Sequence, residues 1–119
     1  MFVDVNDLTP LHAAMQSLCD YLVKENIPPE CVFDSRLVAS ELLGNVLRHG
    51  KGKARLHLRI EENKVELKIE SDSVFYQKTP CAELYAEGGR GLFLVENICK
   101  EEIFKEEDGL RVYIRINKI

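Results

Sequence analysis

Apolar residues recur every three or four positions in the first quarter of the chain. The recurring residues are Leu11, Met15, Leu18, Cys19 and Leu22. This spacing places them on one face of an amphipathic helix. Thr9 followed by Pro10 is typical of a helix start, because Thr caps the first turn and Pro fits the first helical position. We therefore predict a first helix that begins at Thr9-Pro10 and ends before Ile27.

A second helical pattern runs through residues 35–49, SRLVASELLGNVLRH. Its apolar stripe is broad, which predicts that much of this helix is buried. Gly50 is suited to a C-cap, so the helix should end near His49. Its start lies either near Pro29 or at Asp34-Ser35, and the sequence leaves both open.

Strict alternation of apolar and charged residues predicts two hairpins. Residues 53–60 and 64–70 alternate on either side of the turn Glu61-Glu62-Asn63, with one buried and one wet face. A further strand begins at Ile103-Phe104, and Asp108-Gly109 is a strong hairpin turn before residues 110–116 alternate again. Residues 1–5 are expected to form a short strand.

Residues 71–89 show neither the helical spacing nor the strand alternation of apolar residues. A loop of this length in a small domain is usually a lid or binding loop. Gly91 to about Lys100 returns to a helical pattern. The fold class predicted from this order is α+β. It is a two-layer sandwich in which about three helices pack on one face of a mainly antiparallel sheet, as one domain over residues 1–119.

Composition excludes several classes of protein. The chain has 119 residues, 16 Lys and Arg against 20 Asp and Glu, and a net charge of −4, so the charge footprint of a nucleic-acid-binding protein is absent. No run of apolar residues is long enough for a membrane span. The first ten residues lack the basic and apolar regions of a secretory signal.

The four cysteines form no CxxC pair and match no zinc spacing. Cys19 and Cys99 fall on apolar stripes, where a free thiol behaves as a small hydrophobe. We therefore expect buried, inert thiols in a reducing compartment and a cytoplasmic protein.

Polar residues that are suited to catalysis or metal binding lie in the second predicted helix. Glu41 and Asn45 are four positions apart, one turn along the same helix face, and Arg48 and His49 continue that face. A glutamate can act as a general base, and an amide oxygen is a good Mg²⁺ ligand. A solvated helix edge with ordinary polar pairs is the alternative.

Glycines precede the last predicted helix as Gly88-Gly89-Arg90-Gly91. Glycine lets a backbone approach a phosphate closely, and the N–H groups at a helix start bind anions. The segment is neither a Walker loop nor a GxGxxG motif, since the required residues are absent. A hinge at the end of a loop is an equal alternative.

Two features of the sheet have an ordinary and a functional interpretation. At the end of a strand, Glu70 or Asp72 would be able to accept the exocyclic amine of a purine, although Asp and Ser are also routine turn residues. The polar face of the sheet is basic, interleaved with glutamates, and we favour a solvated face over a docking face. Its basic residues are Arg55, Arg59, Lys64, Lys68, Arg111 and Arg115.

Together these motifs resemble the histidine-kinase-like (GHKL, Bergerat-fold) ATPases over nearly the whole chain. Residues 41–49, ELLGNVLRH, resemble the N-box, and Gly89-Arg90-Gly91-Leu92 resembles the second glycine box. The order of helices and hairpins also agrees. The likeness is strongest to the small anti-sigma-factor serine/threonine kinases of bacterial partner-switching systems.

The resemblance implies a role for each motif. Glu41 would be the general base, and Asn45 would hold the Mg²⁺ that bridges the ATP phosphates. Arg48 or His49 would steady a phosphate, and residues 73–89 would form the lid over ATP. The glycine-box residues would wrap the phosphates; they are Gly88, Gly89, Arg90, Gly91 and Leu92. The implied partners are an anti-anti-sigma-type protein and a sigma factor, with a homodimer expected and neither nucleic acid nor membrane bound directly.

One departure from the family leaves a second function open. The family's first glycine box reads Asp-x-Gly-x-Gly, whereas residues 70–75 are Glu-Ser-Asp-Ser-Val-Phe, without glycine. Glu70 or, in a shifted register, Asp72 would be the adenine-binding carboxylate. The alternative function is a Bergerat-fold binding module that sequesters a regulatory partner without turning over nucleotide. A stand-alone nucleotide-hydrolysing or sensor-linked domain is a third hypothesis.

Overall fold

The computed structural model describes residues 2–6, 11–49, 53–70, 95–99, 102–106 and 109–116, with the backbone alone for 2–6, 45–49 and 53. Its helices are α1 (Leu11–Lys24) and α2 (Pro29–His49), and residues 95–99 are also helical. Of the two predicted starts for α2, Pro29 is correct. The strands are β1 (Phe2–Asn6), β2 (Lys53–Glu61), β3 (Lys64–Glu70), β4 (Ile103–Glu106) and β5 (Gly109–Arg115).

Helix α1 ends in a Schellman motif. Asn26 has a φ of 62°, the left-handed conformation that Asn tolerates better than most residues. The Ile27 amide donates to the Leu22 carbonyl and the Asn26 amide donates to the Val23 carbonyl, both at 3.0 Å. Ile27 is buried, so the motif turns the chain and also adds an apolar contact to the core.

The five strands form one sheet in the order β1-β2-β3-β5-β4, and every neighbouring pair is antiparallel. The predicted hairpin joins β2 and β3, with Glu61 opposite Lys64. Strand β5 lies between β3 and β4, so the C-terminal hairpin joins the sheet through its second strand. The predicted α+β sandwich is confirmed.

The core lies between the helices and one face of the sheet. We call this the inner face, and the opposite one the outer face. Fully buried side chains come from both layers: Leu18, Leu22, Val38, Leu43, Leu56, Val65, Leu67, Ile69, Val95, Val112 and Ile114. Helix α2 contacts β2, β3 and β5, so it lies over the centre of the sheet.

Gly109 is required by the close approach of β5 to β3. A Cβ atom at this position would lie 2.0 Å from the Ile69 carbonyl oxygen. Because that oxygen belongs to the backbone of a strand, it cannot readily move to relieve the clash. The sequence assigned Gly109 to a turn, whereas the structure places it in β5, opposite Glu70 and Glu106.

Candidate functional site

Glu41 lies on α2, at the border between the buried stripe of that helix and its surface. Leu42 and Leu43, the next two residues, are almost completely buried, whereas Glu41 is half-buried. Position 45 follows one turn later on the same helix. Because α2 packs on the inner face, the predicted base and the predicted metal ligand belong to the helix side of the molecule.

Most of the other predicted site residues lie where side-chain geometry is not described. Asn45, Arg48 and His49 are in the last turns of α2, and their backbone is helical. Asp72 and the predicted phosphate-binding segment lie outside the described residues; that segment is Gly88, Gly89, Arg90, Gly91 and Leu92. Their roles stay predictions.

Glu70 is on the outer face. Its Oε2 atom lies 3.0 Å from His57 Nε2, and its Oε1 atom lies 3.7 Å from Lys68 Nζ. Strand alternation explains the direction, since the neighbouring residue Ile69 is buried on the inner face. The structure therefore does not bring Glu70 to the side of the sheet that carries Glu41, and its role as an adenine ligand stays a prediction.

An ion-pair network covers the middle of the outer face, and Glu66 is at its centre. The Glu66 carboxylate lies 3.1 Å from Arg59 Nη2 and 3.6 Å from Arg111 Nε. Arg111 also reaches Glu106 at 3.1 Å, and Lys68 reaches Glu106 at 3.4 Å. Only 8% of Glu66 is exposed, so the face predicted to be solvated contains a buried carboxylate between two guanidinium groups.

A second group of charges lies at the other end of the outer face. Lys64 Nζ donates to Glu102 at 2.5 Å and lies 5.4 Å from the centre of the Tyr113 ring. Arg115 Nε donates to Glu102 at 3.3 Å. The hydrogen bond from Lys64 is the main cause that lowers the pKa of Glu102 below its ordinary value, with Arg115 adding to it. Phe104 meets Tyr113 edge to face, with ring centres 5.9 Å apart.

Sequence reasoning missed Glu102 and Glu106 as parts of this network. A signal was present, since Glu102, Phe104 and Glu106 alternate with Ile103. The partners depend on β5 lying between β3 and β4, and alternation within one strand does not reveal that order.

The thiols that the structure describes are poorly suited to chemistry. Cys19, Cys31 and Cys99 form no disulfide bond, and the last two are buried. Burial raises the pKa of Cys99 to about 12, so this thiol stays protonated near neutral pH. The pKa of Cys19 is also raised, mainly by burial.

No group of three His, Cys, Asp or Glu residues capable of holding a metal occurs in the described ranges. Mg²⁺ needs fewer protein ligands when substrate phosphates supply the remaining oxygens. An amide on α2 together with nucleotide phosphates therefore fits the chemistry of Mg²⁺. Among the residues with assigned structure, no helix is long and apolar enough to cross a bilayer.

Comparison with known proteins assigns the chain to a family. No match was found among curated proteins. Residues 5–116 match the family model of the histidine kinase-like ATPase domain, which is almost the full length of the chain. The order of the described helices and strands agrees with the resemblance noted in the sequence. The chain therefore belongs to the histidine kinase-like ATPase domain family, which implies an ATP-binding domain of the GHKL type.

Proposed function

We propose that this protein is an ATP- and Mg²⁺-dependent serine/threonine protein kinase of the anti-sigma-factor type. It would phosphorylate a small anti-anti-sigma partner and bind a sigma factor in the cytoplasm, as a homodimer. The observation that carries the proposal is the half-buried carboxylate of Glu41 on α2, with position 45 one turn beyond it. The family match supports nucleotide binding, and the likeness of residues 41–49 and 89–92 supports the kinase subtype.

Glu41 is the general base in this proposal. Its carboxylate accepts the proton of a serine or threonine hydroxyl as the hydroxyl oxygen attacks the γ-phosphorus of ATP. The bond between that phosphorus and the β–γ bridging oxygen breaks, and ADP leaves. Partial burial removes water that would compete for the proton, while the exposed part leaves room for the partner's hydroxyl.

Bound Mg²⁺ supplies charge neutralisation at the phosphates. Asn45 would contribute its amide oxygen to the ion, and Arg48 or His49 would steady a phosphate oxygen. The glycine-rich residues 88–91 would bring backbone N–H groups to the phosphates. All these residues act by positioning and by electrostatics, which are the main protein contributions to phosphoryl transfer.

For the adenine we propose Asp72 in preference to Glu70. The Glu70 carboxylate pairs with His57 and Lys68 on the outer face, whereas α2 lies on the inner face. Asp72 follows the end of β3 and is the other carboxylate in the segment. An Asp72→Asn variant should therefore bind ATP more weakly than a Glu70→Gln variant.

A binding module without turnover is the second candidate function. It is favoured by one observation: residues 70–75 contain no glycine, and their first carboxylate is engaged in ion pairs on the outer face. Such a module would retain partner binding and lose dependence on ATP.

The experiment that tests the kinase is phosphoryl transfer from labelled ATP to a small serine-containing protein encoded beside this one. The variant is Glu41→Gln, which keeps the size of the side chain and removes the base. We expect transfer to fall by about 10²- to 10⁴-fold with ATP affinity almost unchanged. Glu30→Gln, at an exposed position of the same helix, is the matched control and should retain transfer.

Two results would contradict the proposal. Equal rates for the wild type and Glu41→Gln would remove Glu41 from the chemistry. Partner binding that is independent of ATP, with no transfer at all, would favour the sequestering module.

A further inference from the structure

The outer face exposes its cations more than its carboxylates. The side chains of Arg59 and Arg115 are 67% and 64% exposed. The carboxylates that they contact are less exposed, with 39% of the Glu61 side chain, 11% of the Glu66 side chain and 21% of the Glu102 side chain exposed. A partner approaching this face therefore meets guanidinium groups first, although the chain as a whole has a net charge of −4.

Among the described residues, the ion pairs of Arg59 and Arg115 engage one nitrogen of each guanidinium group. A guanidinium group carries five N–H donors. Arg59 contacts Glu61 and Glu66 through the same nitrogen, Nη2, and Arg115 contacts Glu102 through Nε. The carboxylates thus hold each arginine in place with part of its donor set, and an anion from outside would complete it.

An exposed aromatic side chain lies on the same face. Phe104 is 49% exposed and packs against Tyr113, which is flanked by Lys64. Large apolar groups flanked by arginine are typical anchors of protein interfaces. Charge and apolar contact are therefore available together.

We propose that the outer face binds an acidic helical segment of another protein, held by Arg59 and Arg115 and by apolar contact with Phe104. Arg59 is on β2 and Arg115 on β5, with β3 between them. The register places Arg59 in line with Glu66 and Tyr113, two residues before Arg115. Two strand spacings across the sheet and two residues along the strand therefore separate the Cα atoms of the two arginines by about 12 Å. Carboxylates seven residues apart on one face of a helix are separated by about 10.5 Å, and the long side chains of the two arginines can span the small difference.

Charge distribution favours an acidic protein over the other occupants of this face. Glu61, Glu70 and Glu106 remain 39%, 30% and 30% exposed. The continuous phosphate backbone of a nucleic acid would meet these glutamates as well as the arginines, whereas a helix can carry carboxylates only at the positions that face Arg59 and Arg115. A second copy whose two-fold axis passes close to Arg59 and Arg115 would bring the same exposed guanidinium groups together. An acidic helix with apolar side chains avoids both conflicts.

This surface is separate from the proposed kinase site, because α2 packs on the inner face. The inference goes beyond the proposed function and does not depend on it. Binding to the outer face should occur without ATP. A negative result for one proposal therefore does not contradict the other.

The test is fluorescence anisotropy with a labelled helical peptide of about 14 residues, rich in glutamate and leucine. A peptide with each glutamate replaced by lysine is the probe control. We expect the double variant Arg59→Gln/Arg115→Gln to bind the acidic peptide about tenfold more weakly at about 50 mM salt. Lys24→Gln/Arg36→Gln changes the net charge equally at exposed positions of the helix layer and should bind like the wild type.

A second variant keeps the test valid if the double variant fails to fold. Phe104→Ala alters an exposed side chain and should weaken binding about threefold to tenfold, with the circular dichroism spectrum unchanged.

Equal binding by the double variant and its matched control would overturn the proposal. So would loss of self-association in the arginine variant during sedimentation, since that result assigns the face to a second copy. Tighter binding of duplex DNA than of the acidic peptide would assign it to nucleic acid.

Discussion

The two faces of the sheet are built from the same strands and hold their neighbours in different ways. On the inner face, Leu56, Leu67 and Val112 are buried against the helices, and contact there is apolar and non-directional. On the outer face, the neighbouring side chains are held by ion pairs such as that between Glu66 and Arg111, whose charged atoms lie 3.6 Å apart. The inner face therefore positions α2, and with it Glu41, while the outer face displays a fixed pattern of charge.

The difference suggests that the inner face mainly stabilises the fold and that the outer face mainly takes part in recognition. The stability of an apolar core is sensitive to substitutions that leave a cavity. A buried charge network is sensitive to the loss of one partner, because the remaining charge is left uncompensated. Substitutions on the inner face should reduce stability most, and substitutions on the outer face should act more on recognition.

The largest effect on stability is expected from Leu43→Ala. Leu43 is fully buried on α2, so truncation removes apolar contacts and leaves a cavity, at a cost of about 2–5 kcal/mol in the free energy of unfolding. Urea unfolding measures the loss. Val23→Ala, at a position that is 63% exposed on α1, is the control and should cost less than about 0.5 kcal/mol. Similar losses in both variants would contradict the assigned core.

A smaller loss is expected from Glu66→Gln on the outer face. The amide keeps the shape but removes the charge between Arg59 and Arg111, which should cost about 1–3 kcal/mol. Glu61→Gln also removes a carboxylate that pairs with Arg59, but that side chain is 39% exposed and the cost should stay below about 1 kcal/mol. If both variants unfold at the same urea concentration, the burial of Glu66 has no energetic importance.

The smallest effect is a pH dependence contributed by Glu102. Its pKa is lowered in the folded state, mainly by the hydrogen bond from Lys64. The contribution to stability is therefore present above the ordinary pKa of glutamate and is lost as pH falls through the lowered value. The stability difference between the wild type and Glu102→Gln should be measurable at neutral pH and shrink on acidification. A difference that grows in acid would contradict the assigned direction.

Much of the fold was predictable because local periodicity determined it. The alternation of residues 53–70 predicted the first hairpin, and the apolar spacing after Leu11 predicted α1. The choice of Pro29 over Asp34-Ser35 for the start of α2 required tertiary packing, since Cys31, Asp34 and Ser35 are all buried. The role of Gly109 also depends on a distant strand, because the group that excludes a side chain there is the Ile69 carbonyl.

The part of the candidate site that lies on a single helix was predictable from the sequence. Positions 41 and 45 are related by helix geometry alone, and α2 includes both. The side of the sheet on which Glu70 lies follows from period-two alternation with Ile69, although the resemblance to the family's aspartate suggested a nucleotide contact. The relation of Glu41 to residues 88–92 depends on tertiary structure that no local period encodes.

The most direct test of the central claim, a nucleotide site built on α2, is calorimetric titration of ATP with Mg²⁺ into the wild type and Asn45→Ala. Gln16→Ala, at an exposed position of α1, is the matched amide control. The account predicts saturable binding in the wild type and the control, with loss of binding in Asn45→Ala. Absence of binding to the wild type at millimolar ATP, or equal affinity in all three proteins, would contradict it.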